Sequence, residues 1–143
     1  MSKKELERRD FRNPFEVFLL AACLVSGIVQ LIIRKQPASI NAVLVDPSVR
    51  IMWNIMLIIG GGIALFGIVQ RNPYNSLRFE SIGLLCTAIS ASVYSMAVIY
   101  FGGLQGIFAA LMTLSFAAAC YIRRHAIEKI LGPIRKNASK EDK

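Results

Sequence analysis

Few residues of this sequence could do chemistry in an apolar environment, and the clearest are two carboxylates, Glu16 and Glu80, at the edges of long apolar stretches. A carboxylate within a membrane segment is a candidate for an ion or proton pathway. In the first turn of a helix, however, it also interacts favourably with the helix dipole, and Glu16 follows Asn13 at capping-box spacing. We therefore expect helix capping and pairing with Arg12, Arg78, Arg123 or Arg124, and we keep an ion pathway as the alternative.

The remaining reactive side chains lack the spacing of a catalytic or metal site. The single histidine, His125, lies in a basic segment, where contact with lipid headgroups is the simplest role. Cys23, Cys86 and Cys120 lie in apolar stretches without metal-ligand spacing, so we expect buried small residues. The sequence has no phosphate-binding motif and no nucleophile and base at a family spacing. We expect neither an enzyme nor a bound cofactor.

Apolar and charged residues are segregated along the chain. Hydrophobic residues make up 55% of the 143 positions, yet 17 Lys and Arg and 9 Asp and Glu are also present. Four nearly uncharged stretches, about 15–33, 51–69, 81–100 and 104–122, each approach the ~20 residues that span a bilayer as a helix. The pattern predicts an all-α integral membrane bundle over 13–123, with a charged arm at 1–12 and a basic tail at 124–143.

The distribution of basic residues predicts the orientation. Of the 17 Lys and Arg residues, only Arg34, Lys35 and Arg50 lie between the first two spans. The others lie in the arm, the 70–80 connection or the tail, so the positive-inside rule predicts that both termini are cytoplasmic. The first apolar stretch is too long for a signal peptide, so we expect it to be retained as a span. The formal charge of +8 does not indicate nucleic-acid binding, because the basic residues flank apolar spans.

Two segments outside the spans are expected at the membrane surface. The apolar run 38–45 is too short to cross and is predicted to lie among the headgroups. The tail has apolar residues at three- and four-residue spacing, which predicts an amphipathic helix on anionic lipid that ends at Gly132 and Pro133. The residues predicted to contact headgroups are Arg123, Arg124, Lys129 and Arg135.

Small and hydroxyl residues form the other pattern within the spans. The second span contains Gly60, Gly61 and Gly62, and the third repeats small residues at four-residue steps, namely Gly83, Thr87, Ala91 and Ser95. Such rows predict close helix packing. That packing is either within one bundle or between subunits, and in the second case Thr87, Ser90 and Tyr94 would line a pore or an oligomer seam. Trp53 and Tyr100 are expected in an outer aromatic belt.

Several short motifs together resemble small four-span membrane proteins of tailed bacteriophages that infect Actinobacteria. The resemblance covers about 13–123 and rests on Asn13-Pro14-Phe15-Glu16, Ser26-Gly27, Trp53 before Gly60-Gly61-Gly62, and Phe79-Glu80 with Gly83. It implies a multi-pass protein of the bacterial inner membrane, of a kind labelled either holin or simply membrane protein. A holin oligomerises in that membrane and permeabilises the bilayer. The alternatives are a non-lytic interaction protein, for superinfection exclusion, defence or structure, and a small channel or transporter. Holin function implies a homo-oligomer.

Overall fold

The computed structural model of this protein describes residues 14–33, 38–43 and 46–141. Within these ranges the chain forms α1 (Pro14–Ile33), α2 (Ala38–Val43), α3 (Pro47–Val69) and α4 (Pro73–Glu141). The chain reverses direction within α4 at Gly103, whose φ of 51° and ψ of −146° interrupt the helical backbone. A side chain is strongly disfavoured at such dihedral angles, so a glycine is required at this bend.

Four helical stretches in the described residues are long and apolar enough to cross a membrane. They are Pro14–Ile33, Pro47–Val69, Tyr74–Phe101 and Gly106–Gly132, hereafter the first to fourth spans. The prediction of an all-α protein with four candidate transmembrane helices is therefore confirmed. These spans suggest a multi-pass membrane protein.

Capping side chains and prolines set where two of the helices begin. The Asp46 carboxylate accepts a 2.7 Å hydrogen bond from the backbone N–H of Ser48, directly before α3. The Asn72 side chain accepts one of 3.1 Å from the N–H of Tyr74, directly before the third span. Each cap is followed by a proline at the first helical position, which has no N–H to satisfy. The helices consequently begin before the predicted 51 and 81. The predicted cap of the first helix, Asn13, lies outside the described residues.

The second span is the centre of the packing, because its adjacent glycines face different neighbours. A Cβ built on Gly60 would lie 2.7 Å from Oγ1 of Thr87 on the third span. One built on Gly61 would lie 2.9 Å from the carbonyl oxygen of Leu20 on the first span. Gly62, by contrast, has space for a Cβ, which would lie 3.8 Å from Cδ1 of Leu24. Two of the three glycines therefore permit close backbone approach, each to a different neighbouring span.

The third and fourth spans form an antiparallel hairpin with one continuous apolar contact near its open end. Ile127 and Leu131 are buried in the same cluster as Leu84 and Cys120. Ile127 and Leu131 of the tail thus pack against the bundle, and the predicted contact of the tail helix with anionic lipid stays a prediction. The expected break at Gly132 and Pro133 is wrong, because the helix runs to Glu141. We call this end of the bundle, where Arg78, Arg123 and Arg124 lie, the basic end.

The opposite end is covered by α2. Ile40 of this short helix is fully buried in a cluster with Trp53, Leu57 and Ala97. Nη1 of Arg50 donates a 2.8 Å hydrogen bond to the side-chain oxygen of Asn41, which ties α2 to the start of the second span. The 38–43 segment thus packs on the bundle through Ile40. The length and apolar composition of the segment did not predict this contact.

Candidate functional site: a groove between the first and fourth spans

An open groove of about 540 Å³ runs between the first and fourth spans, with the second and third spans as its floor. The first span contributes small or polar wall residues, Ala22, Cys23, Ser26 and Gln30. The fourth span contributes Thr113, Ser115, Phe116, Ala119 and Cys120. The volume is within the range of ligand pockets. The groove is mainly apolar, but several hydroxyl groups and the amide of Gln30 line it.

The two walls of the groove are the least buried of the four spans. In the most apolar part of each span, 11% of residues are buried in the first and 17% in the fourth, against 39% and 50% in the second and third. The first span packs on the second, and the fourth packs on the third through the hairpin. The side of the bundle between the first and fourth spans is therefore left open.

The floor contains an aromatic pair held by a hydrogen bond. Nε1 of Trp53 donates to the carbonyl oxygen of Ser90 over 3.1 Å. The Trp53 ring stacks on Tyr94, with centroids 6.3 Å apart and ring planes at 16°. Trp53 is only 6% exposed, so its expected place in a lipid-facing belt is wrong, whereas Tyr100 is 82% exposed. A tryptophan N–H needs an acceptor when it is buried, and the carbonyl of Ser90 provides one.

The predicted polar residues of the third span are divided between different surfaces. Ser90, Ala91 and Tyr94 line the groove. Thr87 does not, because it is fully buried against the second span and its hydroxyl donates to the carbonyl of Gly83 over 2.9 Å. Ser95 donates over 2.7 Å to the carbonyl of Ala110, within the hairpin. The row of small residues in the third span is thus used mostly inside one chain.

Two amide side chains within the spans were not singled out from the sequence. Nε2 of Gln30 donates a 2.8 Å hydrogen bond to Oγ of Ser26, but its Oε1 is buried without a partner among the described residues. Oδ1 of Asn54 is in the same situation, and Asn54 is only 1% exposed. A search for charged residues alone overlooks them. Their signal in the sequence was an amide within an otherwise apolar span.

The basic end contains a polar network between the spans. Nε of Arg123 donates to Oε1 of Glu80 over 3.0 Å, and Oγ of Ser81 donates to Oε1 of Glu128 over 2.8 Å. Glu80 is 2% exposed, so burial removes it from solvent and the arginine compensates its charge. Of the arginines considered for Glu80, the structure brings Arg123 to it. This arrangement matches the structural alternative more closely than an open ion pathway.

The other predicted boundary residues lie in different environments. Glu16 lines the end of the groove nearest the basic end. Arg124 is half-buried, and its Nε has no partner in the described part of the chain. His125 and Lys129 are exposed, and the side chain of Arg135 falls outside the described residues. A second cavity, of about 290 Å³, lies beside Tyr74, Arg78 and Glu128.

No His, Cys, Asp or Glu cluster that could hold a metal ion is found within the described ranges. Comparisons with protein families, curated proteins and solved structures find no match to this chain.

Proposed function

We propose that this chain is a phage-encoded, holin-like protein of the bacterial inner membrane, whose copies assemble in the bilayer and permeabilise it. The observation that carries the proposal is the groove, whose walls on the two least buried spans include small and hydroxyl-bearing residues among larger apolar ones. In lipid, small residues on a helix face favour close approach of another helix. The groove is accordingly the surface that assembly would close.

The orientation that we propose has both termini in the cytoplasm. Arg78, Arg123 and Arg124 lie at the basic end, and the positive-inside rule assigns such an end to the cytoplasmic face. There the exposed Lys129 and its basic neighbours would contact anionic headgroups, each adding roughly 1 kcal/mol of attraction near the surface. The basic end would then stabilise the protein in the bilayer while the groove mediates assembly.

Charge placement favours a lesion over coupled transport. The sequence has no Asp, Glu, Lys, Arg or His in 17–33, 51–69 or 81–122. A coupled transporter generally carries an ionisable group within the membrane to bind and release the driving ion. The carboxylate buried at the basic end, Glu80, is already paired with Arg123.

A second candidate function uses the same groove. A non-lytic interaction protein, for superinfection exclusion or defence, would hold a transmembrane helix of another protein there. The apolar lining and the small walls support this candidate as well. The two functions differ in what they do to the cell.

Inducible expression in a bacterial host with a potential-sensitive dye and a phage challenge separates these functions. The proposal predicts growth arrest with loss of membrane potential. Healthy cells that resist phage would indicate the interaction protein, and selective ion flux would indicate a channel. Full potential in cells whose membranes contain the protein would contradict the proposal.

A matched pair of variants links the effect to the groove. Ala22→Leu places a larger side chain on the groove wall, so it should delay or abolish the loss of potential. Val25→Leu changes a residue of the same span that is 58% exposed and lies outside the groove lining, so it should behave as the wild type. Equal behaviour of the two variants would remove the groove from the mechanism.

A further inference from the structure

The groove carries opposite charges on its two walls at the basic end. Glu16, on the first span, lines this end of the groove. On the fourth span, Arg124 lies one helical turn beyond the lining residue Cys120 and therefore on the same face. The rim thus has a carboxylate on one wall and a guanidinium on the other.

The two adjacent arginines of the fourth span differ in their bonding. Arg123 donates from Nε to Glu80. Nε of Arg124 is buried and has no hydrogen-bond partner among the residues that the structure describes. A buried guanidinium donor without an acceptor is costly, so an acceptor supplied from outside the chain would stabilise this end of the groove.

We propose that the groove binds a second copy of this chain through a two-fold contact, in which Glu16 of each copy pairs with the partner subunit's Arg124. Copies inserted in the same direction can be related by a two-fold axis along the membrane normal. Such an axis through the groove sets the first span of each copy against the fourth span of the other. Both charged residues lie at the same end of the bundle, so they meet at the same depth.

The wall residues match in the same arrangement. Ala22 and Ser26 are exposed and lie one turn apart on the first span, as Ser115 and Ala119 do on the fourth. Facing small residues allow the two backbones to approach closely. This contact deepens the proposed function and rests on it, because it specifies how the assembling copies meet.

A phospholipid is the competing occupant, and the rim disfavours it. The rim also carries the Glu16 carboxylate, whose negative charge disfavours a phosphate there. An acyl chain also has no donor for Oε1 of Gln30, which lacks a partner in the described part of the chain. The partner subunit's helices can supply both a carboxylate at the rim and polar hydrogens along the wall.

Disulfide cross-linking between copies of the full chain in native membranes tests the contact. The three native cysteines are replaced by alanine, and two differently tagged copies, one with Ala22→Cys and one with Ala119→Cys, are co-expressed and oxidised. We expect a mixed-tag disulfide dimer. Val25→Cys with Leu114→Cys is the matched control outside the groove lining and should give little product. Equal disulfide yields from the two pairs would overturn the proposal. So would the absence of a disulfide dimer in a protein that retains phospholipid when purified.

Charge reversal keeps the test decisive if the cysteine-free chain is poorly made. In the native-cysteine background, the dimer is captured with a cross-linker that reacts with lysine. Glu16→Arg alone or Arg124→Glu alone should lower the yield of this dimer, and the double variant should restore it. Failure of the double variant to restore the dimer would overturn the pairing. Dye measurements on the same cells separate the two proposals. Cross-linked dimers without loss of potential would contradict only the holin function, and loss of potential without the specific dimer would contradict only this contact.

Discussion

Nε of Arg123, in the fourth span, donates a 3.0 Å hydrogen bond to Oε1 of Glu80, in the third. The two residues are far apart in sequence, and the reversal of the chain at Gly103 brings them together. Glu80 is 2% exposed whereas Arg123 is 34% exposed, so the carboxylate depends on the arginine more than the arginine depends on it. The pair closes the open end of the hairpin.

This asymmetry predicts the stability of variants at the pair. Arg123→Gln should lower the free energy of unfolding by about 1–3 kcal/mol, because it removes a charged hydrogen bond to a buried carboxylate. Glu80→Gln together with Arg123→Gln should be less harmful, since no buried charge remains. Unfolding in mixed detergent micelles measures both, with the exposed Arg78→Gln as control. A double variant less stable than Arg123→Gln would contradict the prediction.

Neighbouring glycines of the second span should respond oppositely to alanine. A Cβ at Gly60 would lie 2.7 Å from Oγ1 and 2.9 Å from the backbone nitrogen of Thr87, so Gly60→Ala should destabilise by about 1–3 kcal/mol. Gly62→Ala meets only Cδ1 of Leu24, at 3.8 Å, and should stabilise the helix by up to about 1 kcal/mol. The same unfolding titration compares them. Similar values for the two variants would mean that Gly60 does not face the third span.

The single tryptophan allows a spectroscopic test of the groove floor. Trp53 is buried and donates to the carbonyl of Ser90, so its fluorescence should resist quenching by brominated lipids. Trp53→Phe removes the hydrogen bond and should cost about 1 kcal/mol of stability. Tyr100→Trp in a Trp53→Phe background supplies an exposed comparison. Equally strong quenching at both positions would place Trp53 against lipid.

The proposed orientation predicts which segments are accessible from each side. Reporter fusions after Lys143 and within 71–78 should be active in the cytoplasm, and labels within 36–41 should react from outside. An outside signal from the Lys143 fusion would overturn the orientation. It would leave the groove geometry unchanged, because the helix packing does not depend on the direction of insertion.

The sequence predicted the number and type of the spans well, because about 20 uncharged apolar residues can hardly satisfy their backbone otherwise in lipid. It predicted the ends less well. A span predicted from hydropathy ends at the first charged residue. The helices themselves begin earlier, at Pro47 and Pro73, directly after capping side chains. Similarly, Glu80 lies inside the third span although it is charged, because Arg123 compensates its charge.

The candidate site was only partly predictable. Ser90, Ala91 and Tyr94 were identified as residues of interest, but Thr87 has the same chemistry one turn away and faces the second span. The direction in which each helix face points depends on how the spans pack, and four-residue spacing alone does not determine it. For the same reason, the sequence could not distinguish Gly62 from Gly60, or identify the first and fourth spans as the walls of an open groove.

The number of copies per assembly in lipid vesicles, counted by stepwise photobleaching of a labelled chain, tests the central claim of assembly through the groove most directly. At a high protein-to-lipid ratio, we predict dimers or larger assemblies for the wild type and for Val25→Leu, and mainly monomers for Ala22→Leu. A wild-type chain that remains strictly monomeric under these conditions would contradict the account.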